Sequence, residues 1–236
     1  MSTRLPLALA VAAGMLAVPA AASARIFEVG QTADRPSASC PADPCQAITR
    51  TSGFQVTVGG RDKRGLFEAS RDGRVVAFTI RLGNPSKQQI DFFDTNFGGA
   101  PQARISILKP PKKGFEYQLT GQSEPFDLEP FLGRETQFPL LRSLFVRKGY
   151  VVVLTTPTWI PAIALGLDRG NAWRSSRAQA ECDKQPPPAS AQMRLGSLRG
   201  YRCLYRGARL TYSATVVAVP RRSATRPPSR TRQSWN

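Results

Sequence analysis

The sequence GRVVAFTIRL, residues 73–82, decides the fold class of this chain. Two sets of side chains alternate along it: Val76, Phe78, Ile80 and Leu82, and between them Val75, Ala77, Thr79 and Arg81. A period of two residues is typical of a β-strand, in which successive side chains point to opposite faces of the sheet. We therefore expect a half-buried strand here.

The same alternation returns along the rest of the chain. It is carried by Ile105 and Ile107, by Phe115, Tyr117 and Leu119, by Tyr201, Cys203 and Tyr205, and by Leu210, Tyr212, Ala214 and Val216. The continuous run YVVVLTT, residues 150–156, is typical of a central strand that is covered on both faces. Gly- and Pro-containing turns separate these segments, and no long stretch without Gly or Pro shows a convincing helical stripe.

These patterns predict an all-β protein: an antiparallel, jelly-roll-like, disulfide-containing β-sandwich of about ten short strands. We assign residues 54–219 to this domain. Residues 25–53 are expected to form an extended N-terminal segment that contains the first Cys pair. The alternative arrangement is two small β domains that divide near residue 135.

The two ends of the chain have their own signatures. Residues 1–24, MSTRLPLALAVAAGMLAVPAAASA, combine an early Arg, an apolar stretch and a small-residue site, which is typical of a signal peptide cleaved near Ala24. An uncleaved membrane anchor is the alternative. Residues 220–236 are rich in Arg, Ser, Thr and Pro, and are expected to be a disordered basic tail. We therefore expect a secreted or cell-surface protein.

Four cysteines in an exported chain allow complete pairing in three ways. Cys40 and Cys45 bracket a short turn, while Cys182 and Cys203 flank a Pro-rich excursion. We predict these two local disulfides. A metal site is the competing interpretation, but the spacing is not C-x-x-C and the chain has no His.

Charge and composition exclude much chemistry. The 236 residues include 33 Lys plus Arg, 16 Asp plus Glu and no His, which removes the Ser-His-Asp and Cys-His relays and His-ligated zinc. Residues 136–220 contain 12 basic and 3 acidic side chains. The excess positive charge is either scattered over a solvated surface or forms a basic region that attracts a polyanion.

One set of segments resembles a known family. These segments are VVVLTTPTWIPA at 151–162, WRSSR at 173–177, Cys182, YRCLY at 201–205 and LTYSAT at 210–215. They resemble an uncharacterised family of exported proteins from high-GC Gram-positive bacteria, over about a third of the chain. The resemblance implies secretion and a β-sandwich with a late disulfide, and brings no activity with it.

Two acidic regions are candidates for chemistry. Asp91, Asp94 and Asn96 precede Gly98-Gly99, so their oxygens could hold Ca²⁺ in a loop, although the spacing departs from the EF-hand pattern and Asp and Asn before Gly-Gly are more often ordinary turn residues. Asp91 with Asp94, or Glu124 with its acidic neighbours, could also serve a His-free carbohydrate-active enzyme. We expect no cofactor.

The binding candidates lie in the back half of the chain. Trp173, in a polar region, could be an exposed platform for sugar rings, although it could equally pack over the nearby disulfide, whereas Trp159 is expected to be a core residue. Exposed arginines could form a basic patch for anionic polymers: Arg174, Arg177, Arg199, Arg202, Arg206 and Arg209. The favoured function is therefore non-catalytic binding of glycans or anionic cell-wall polymers, with extracellular nucleic acid bound only non-specifically. A His-free enzyme and a purely structural protein are the alternatives.

Overall fold

The computed structural model describes residues 25–59 and 65–219 of the chain. The strands in this part are β1 Ile26–Val29, β2 Ile48–Thr57, β3 Gly73–Arg81, β4 Gln102–Lys109, β5 Glu116–Gln122, β6 Phe126–Asp127, β7 Glu135–Val146, β8 Val151–Ile160, β9 Ile163–Ala164, β10 Ala172–Ser175, β11 Leu198–Gly200, β12 Cys203–Arg206, β13 Arg209–Leu210 and β14 Tyr212–Ala218. Helix α1 spans Lys87–Phe97, and short 3-10 turns cover Glu129–Phe131 and Gln179–Glu181. The predicted signal peptide (1–24) and basic tail (220–236) lie outside the described residues.

The strands form antiparallel sheets, so the predicted all-β, antiparallel, sandwich-like class is confirmed. The small sheet has the order β1-β14-β3-β7. The large sheet has the order β11-β5-β4-β8-β2-β10-β12, with β6 pairing β4, and β13 pairs β9 in a two-stranded ribbon. Strand β2 begins at Ile48, so the predicted boundary at residue 54 falls inside a strand, and β1 shows that the N-terminal segment also joins a sheet.

A common core joins the two main sheets. Phe78 of β3 and Val152 of β8 are both fully buried in it, and the Tyr212 hydroxyl of β14 donates to the Val152 carbonyl at 2.9 Å. Strands from before and after residue 135 pair with each other in both sheets. This mixing favours one β unit over two domains divided at residue 135.

The predicted alternation is confirmed in β14 and the predicted burial of both faces in β8, whereas β3 does not keep one alternation along its whole length. Tyr212 and Ala214 are buried while Ser213 between them is half-buried, and the run from Val151 to Thr156 is buried throughout. In β3, however, Val75 is fully buried and Val76 only half-buried. The register with β7 shifts between Val75 and Ala77, and such a bulge moves the side chains before it to the other face.

The large sheet curls until its two outer strands nearly meet. Strands β11 and β12 are at opposite ends of the strand order, yet only Tyr201 and Arg202 separate them in the chain. Three Cα–Cα steps of about 3.8 Å span at most about 11 Å. Seven flat strands would hold their outer members about 29 Å apart, at about 4.8 Å per strand. The connection therefore requires strong curvature.

Helix α1 was not predicted from the sequence. Ser86 accepts a hydrogen bond from the backbone of Gln89 at 3.3 Å, and the Gln89 side chain accepts one from the Ser86 backbone at 2.8 Å, which together form a capping box. Gly98 ends the helix in the left-handed conformation, with φ of 94°. Phe93 and Phe97 pack with Trp159 of β8 in a second small core.

Candidate functional site

The neighbouring strands β10 and β12 carry a basic face, which we define as Arg174, Arg202 and Arg206. Arg174 pairs directly with Leu204, and Arg206 lies two residues further along β12, so both side chains leave the same side of the ribbon. Arg202 precedes β12 and is exposed, whereas Tyr201 and Cys203 on either side of it are fully buried. The predicted alternation around Arg202 is confirmed, and Arg206 is exposed as well.

Arg174 is held rigidly at the centre of this face. Its guanidinium carbon lies 4.2 Å from the centre of the Phe115 ring, and its Nη1 donates to the carbonyls of Tyr201 at 3.1 Å and Arg202 at 3.2 Å. Partial burial lowers the pKa of Arg174, Tyr117 opposes that effect, and the positive charge of Arg206 lowers it further. The two guanidinium groups therefore repel each other, and an anion placed between them would relieve that repulsion.

The other predicted arginines separate into different environments. Arg199 of β11 is half-buried and donates to the Ser190 carbonyl at 2.8 Å. Arg177 is only 7% exposed, because its Nη1 and Nη2 donate to the Tyr205 hydroxyl at 3.0 Å and to the Thr49 carbonyl at 3.2 Å. Arg209 is 5% exposed and lines a pocket beside the small sheet. The prediction that Arg177 and Arg209 belong to an exposed patch was wrong.

Of the two alternatives for Trp173, the exposed platform is wrong, because the side chain is buried. Trp173 belongs to the main core and is only 5% exposed, with its ring against Gly53 of β2. Its ring centre lies 4.8 Å from that of Tyr205. Trp159 is fully buried, as predicted for a core residue.

Both predicted disulfides are present. Cys40 pairs with Cys45 and Cys182 pairs with Cys203, with Cα–Cα separations of 4.5 Å and 5.3 Å. Cys203 is the first residue of β12, so the second bond ties the segment before the Pro-rich excursion to the strand that carries Arg206. The disulfide therefore stabilises the position of the basic face.

The structure gives no support to a Ca²⁺ loop at Asp91, Asp94 and Asn96, because these residues lie on helix α1. Asp91 forms an ion pair with Lys87 at 3.2 Å, Asp94 accepts a hydrogen bond from the Trp159 indole at 2.8 Å, and Asn96 donates to the Phe92 carbonyl at 2.7 Å. Within residues 25–59 and 65–219 there is no cluster of three or more His, Cys, Asp or Glu side chains suited to a metal ion.

A pocket of about 180 Å³ opens beside the small sheet, and its position was not predicted. Residues from four distant segments line it, at 28–36, 79–81, 135–137 and 209–213. No local motif in any one segment marks it, although Arg209 was singled out for a different reason. The acidic residues considered for catalysis, Asp91, Asp94 and Glu124, are not among its lining residues, and Glu124 accepts a hydrogen bond from the Leu141 backbone at 2.7 Å.

Comparisons of this chain with family models, with curated proteins and with solved structures give no match. The resemblance in the 151–215 region therefore stays an expectation. In the described part of the chain, no helix is both long enough and apolar enough to cross a membrane.

Proposed function

We propose that this protein is an exported, non-catalytic binding protein that recognises anionic surface polymers through its basic face. The observation that carries the proposal is the strand register that puts Arg174 and Arg206 on one side of the β10–β12 ribbon, with the exposed Arg202 directly before β12. The two formed disulfides fit an oxidising compartment outside the cytoplasm.

The chemistry of the face suits repeated carboxylate or phosphate groups. Each guanidinium offers a planar fork of N–H donors that matches these groups. Arg174 is already fixed by Phe115 and by two backbone carbonyls, so it loses little freedom on binding. Arg202 and Arg206 are exposed and remain free to reach a polymer chain.

Binding should be measured with polygalacturonate and with dextran as a neutral control, over a series of salt concentrations. The test variant is Arg202→Gln with Arg206→Gln. The matched control is Arg142→Gln with Arg147→Gln, because these two arginines are exposed on and just after β7 and the change in net charge is the same.

We expect wild-type affinity for polygalacturonate to fall steeply with salt, because bound cations are released and charges are screened. The test variant should bind about tenfold or more weakly and show a salt slope shallower by about one to two, whereas the control should change by less than about twofold. If both variants lost the same affinity for polygalacturonate, the net charge of the protein alone would explain the binding, and the proposal would be contradicted. Dextran binding that persists at about 0.5 M salt, where screening lengths are only a few ångströms, would also contradict it.

A further inference from the structure

The floor of the pocket is a polar row on the outer face of the small sheet. Ser213 of β14 pairs with Thr79 of β3, and Thr79 pairs with Gln137 of β7, so the three side chains stand side by side. The residues that alternate with them, among them Phe78 and Tyr212, face the core. The row therefore offers two hydroxyls and one amide to a ligand above it.

One wall is fixed by a network of ion pairs. Glu135 accepts from Arg35 at 2.8 Å through one oxygen and from Arg81 at 2.7 Å through the other. Arg81 also donates to the Arg35 carbonyl at 2.8 Å, which ties residues 30–36 to the sheet. One carboxylate therefore serves two guanidinium groups here, while Glu28 and Asp34 also line the pocket, so that its three arginines face three carboxylates.

The lining also contains Arg209, whose side chain is buried but incompletely bonded. One of its amino groups donates to the Thr32 hydroxyl. The other, Nη1, has no hydrogen-bond partner among the described residues, and the nearest carboxylate, Asp34, lies 3.6 Å away with 80% of its side chain exposed. A buried guanidinium nitrogen without an acceptor is costly, so an anionic oxygen that reaches it would bind favourably.

We propose that this pocket binds a hydroxylated carboxylate about the size of one sugar ring, that is, a sugar acid. The carboxylate takes the place of Asp34 as the acceptor at Arg209, and the ligand hydroxyls bond to the row of Ser213, Thr79 and Gln137. The volume of about 180 Å³ accommodates a single ring and not an extended chain. This site does not depend on the basic face, which lies on the other sheet.

The probes are free galacturonate and its neutral counterpart galactose, titrated calorimetrically into the wild-type protein and its variants. We expect galacturonate to bind with a dissociation constant of order 1 mM, and galactose about tenfold or more weakly, because it lacks the group that bonds to Arg209. Arg209→Gln should weaken galacturonate binding about tenfold. Thr79→Val, a change of similar shape at a half-buried position, should weaken it about threefold or more. Asp34→Asn should strengthen it, since it removes the competing carboxylate.

The matched control is the Arg202→Gln, Arg206→Gln variant, which should bind galacturonate like the wild type. The proposal is wrong if saturable binding is missing at about 20 mM, well above the expected constant. It is also wrong if galactose binds equally well, or if Thr79→Val, correctly folded by circular dichroism, leaves the affinity unchanged. If the control variant lost galacturonate binding while the Arg209→Gln variant kept it, sugar acids would bind at the basic face instead.

Discussion

Two buried tryptophans offer a direct test of what their indole N–H groups contribute to stability. Trp159 is fully buried, lies 4.7 Å from the Phe93 ring, and donates to the Asp94 carboxylate at 2.8 Å. Trp173 is 5% exposed and its ring centre lies 4.8 Å from that of Tyr205, but its indole nitrogen has no partner among the described residues. The substitutions Trp159→Phe and Trp173→Phe remove the same atoms, but the first removes an indole N–H that is hydrogen-bonded and the second removes one that is not.

The expected difference follows from that contrast. Both changes lose similar packing, so the packing terms largely cancel. Trp159→Phe also loses a hydrogen bond to a charged group, at about 1.5–3 kcal/mol, whereas Trp173→Phe removes an unsatisfied donor whose burial costs about 1–3 kcal/mol. Trp159→Phe should therefore destabilise the protein by at least about 2.5 kcal/mol more than Trp173→Phe. This corresponds to a difference of about 5–10 °C in melting temperature.

Urea unfolding followed by far-UV circular dichroism measures both free energies without relying on tryptophan fluorescence. Asp94→Ala measures the coupling between Asp94 and Trp159. It should lower the free energy of unfolding of the wild type and leave that of the Trp159→Phe variant nearly unchanged. If Trp173→Phe were as destabilising as Trp159→Phe, or if Asp94→Ala cost the same in both backgrounds, the assignment of the Trp159–Asp94 hydrogen bond would be wrong.

Three further results are expected. Replacing Cys182 and Cys203 with Ser opens a bond with a sequence separation of 21 residues and should cost about 3 kcal/mol in urea unfolding; an unchanged midpoint would contradict the loop-closure argument. Ser86→Ala removes the capping box of α1 and should cost about 1 kcal/mol, while Ser86→Asp should retain most of the stability in the same assay. Burial raises the pKa of Tyr201 and Tyr212, so the folded state keeps protons that the unfolded chain releases near pH 10. Stability should accordingly be constant below about pH 9 and fall above about pH 10, and Tyr201→Phe should flatten that fall; a stability independent of alkaline pH would refute it.

The fold was predictable where local pattern and tertiary burial agree. The alternation at Tyr212 and Ala214 marks a strand with one buried face, and the structure has that strand. The local Cys pairs were predictable because each pair brackets a Pro-containing excursion. Helix α1 was missed because its apolar face is short and rests on Phe93 and Phe97, although Ser86 and Gln89 gave a usable capping signal.

The candidate site was less predictable, because exposure depends on neighbours that the local sequence does not show. Arg202 could be placed by its phase against Tyr201 and Cys203. Trp173 has polar neighbours in sequence, yet its ring packs in the core beside Gly53 of β2 and Tyr205 of β12. The pocket is harder still, since it is assembled only when strands β3, β7 and β14 come together with residues 30–36.

The curled large sheet has a consequence for how copies of this protein behave toward one another. An outer strand with unpaired backbone groups is a template for strand addition by a second molecule, and so for aggregation. Here the short link from Gly200 to Cys203 brings the two outer strands close together, and the Cys182–Cys203 bond holds one of them. In the small sheet, outer strand β7 contains Pro139, which lacks a backbone N–H. Reduction of the late disulfide therefore removes a constraint on a sheet edge and should make strand addition by a second molecule easier.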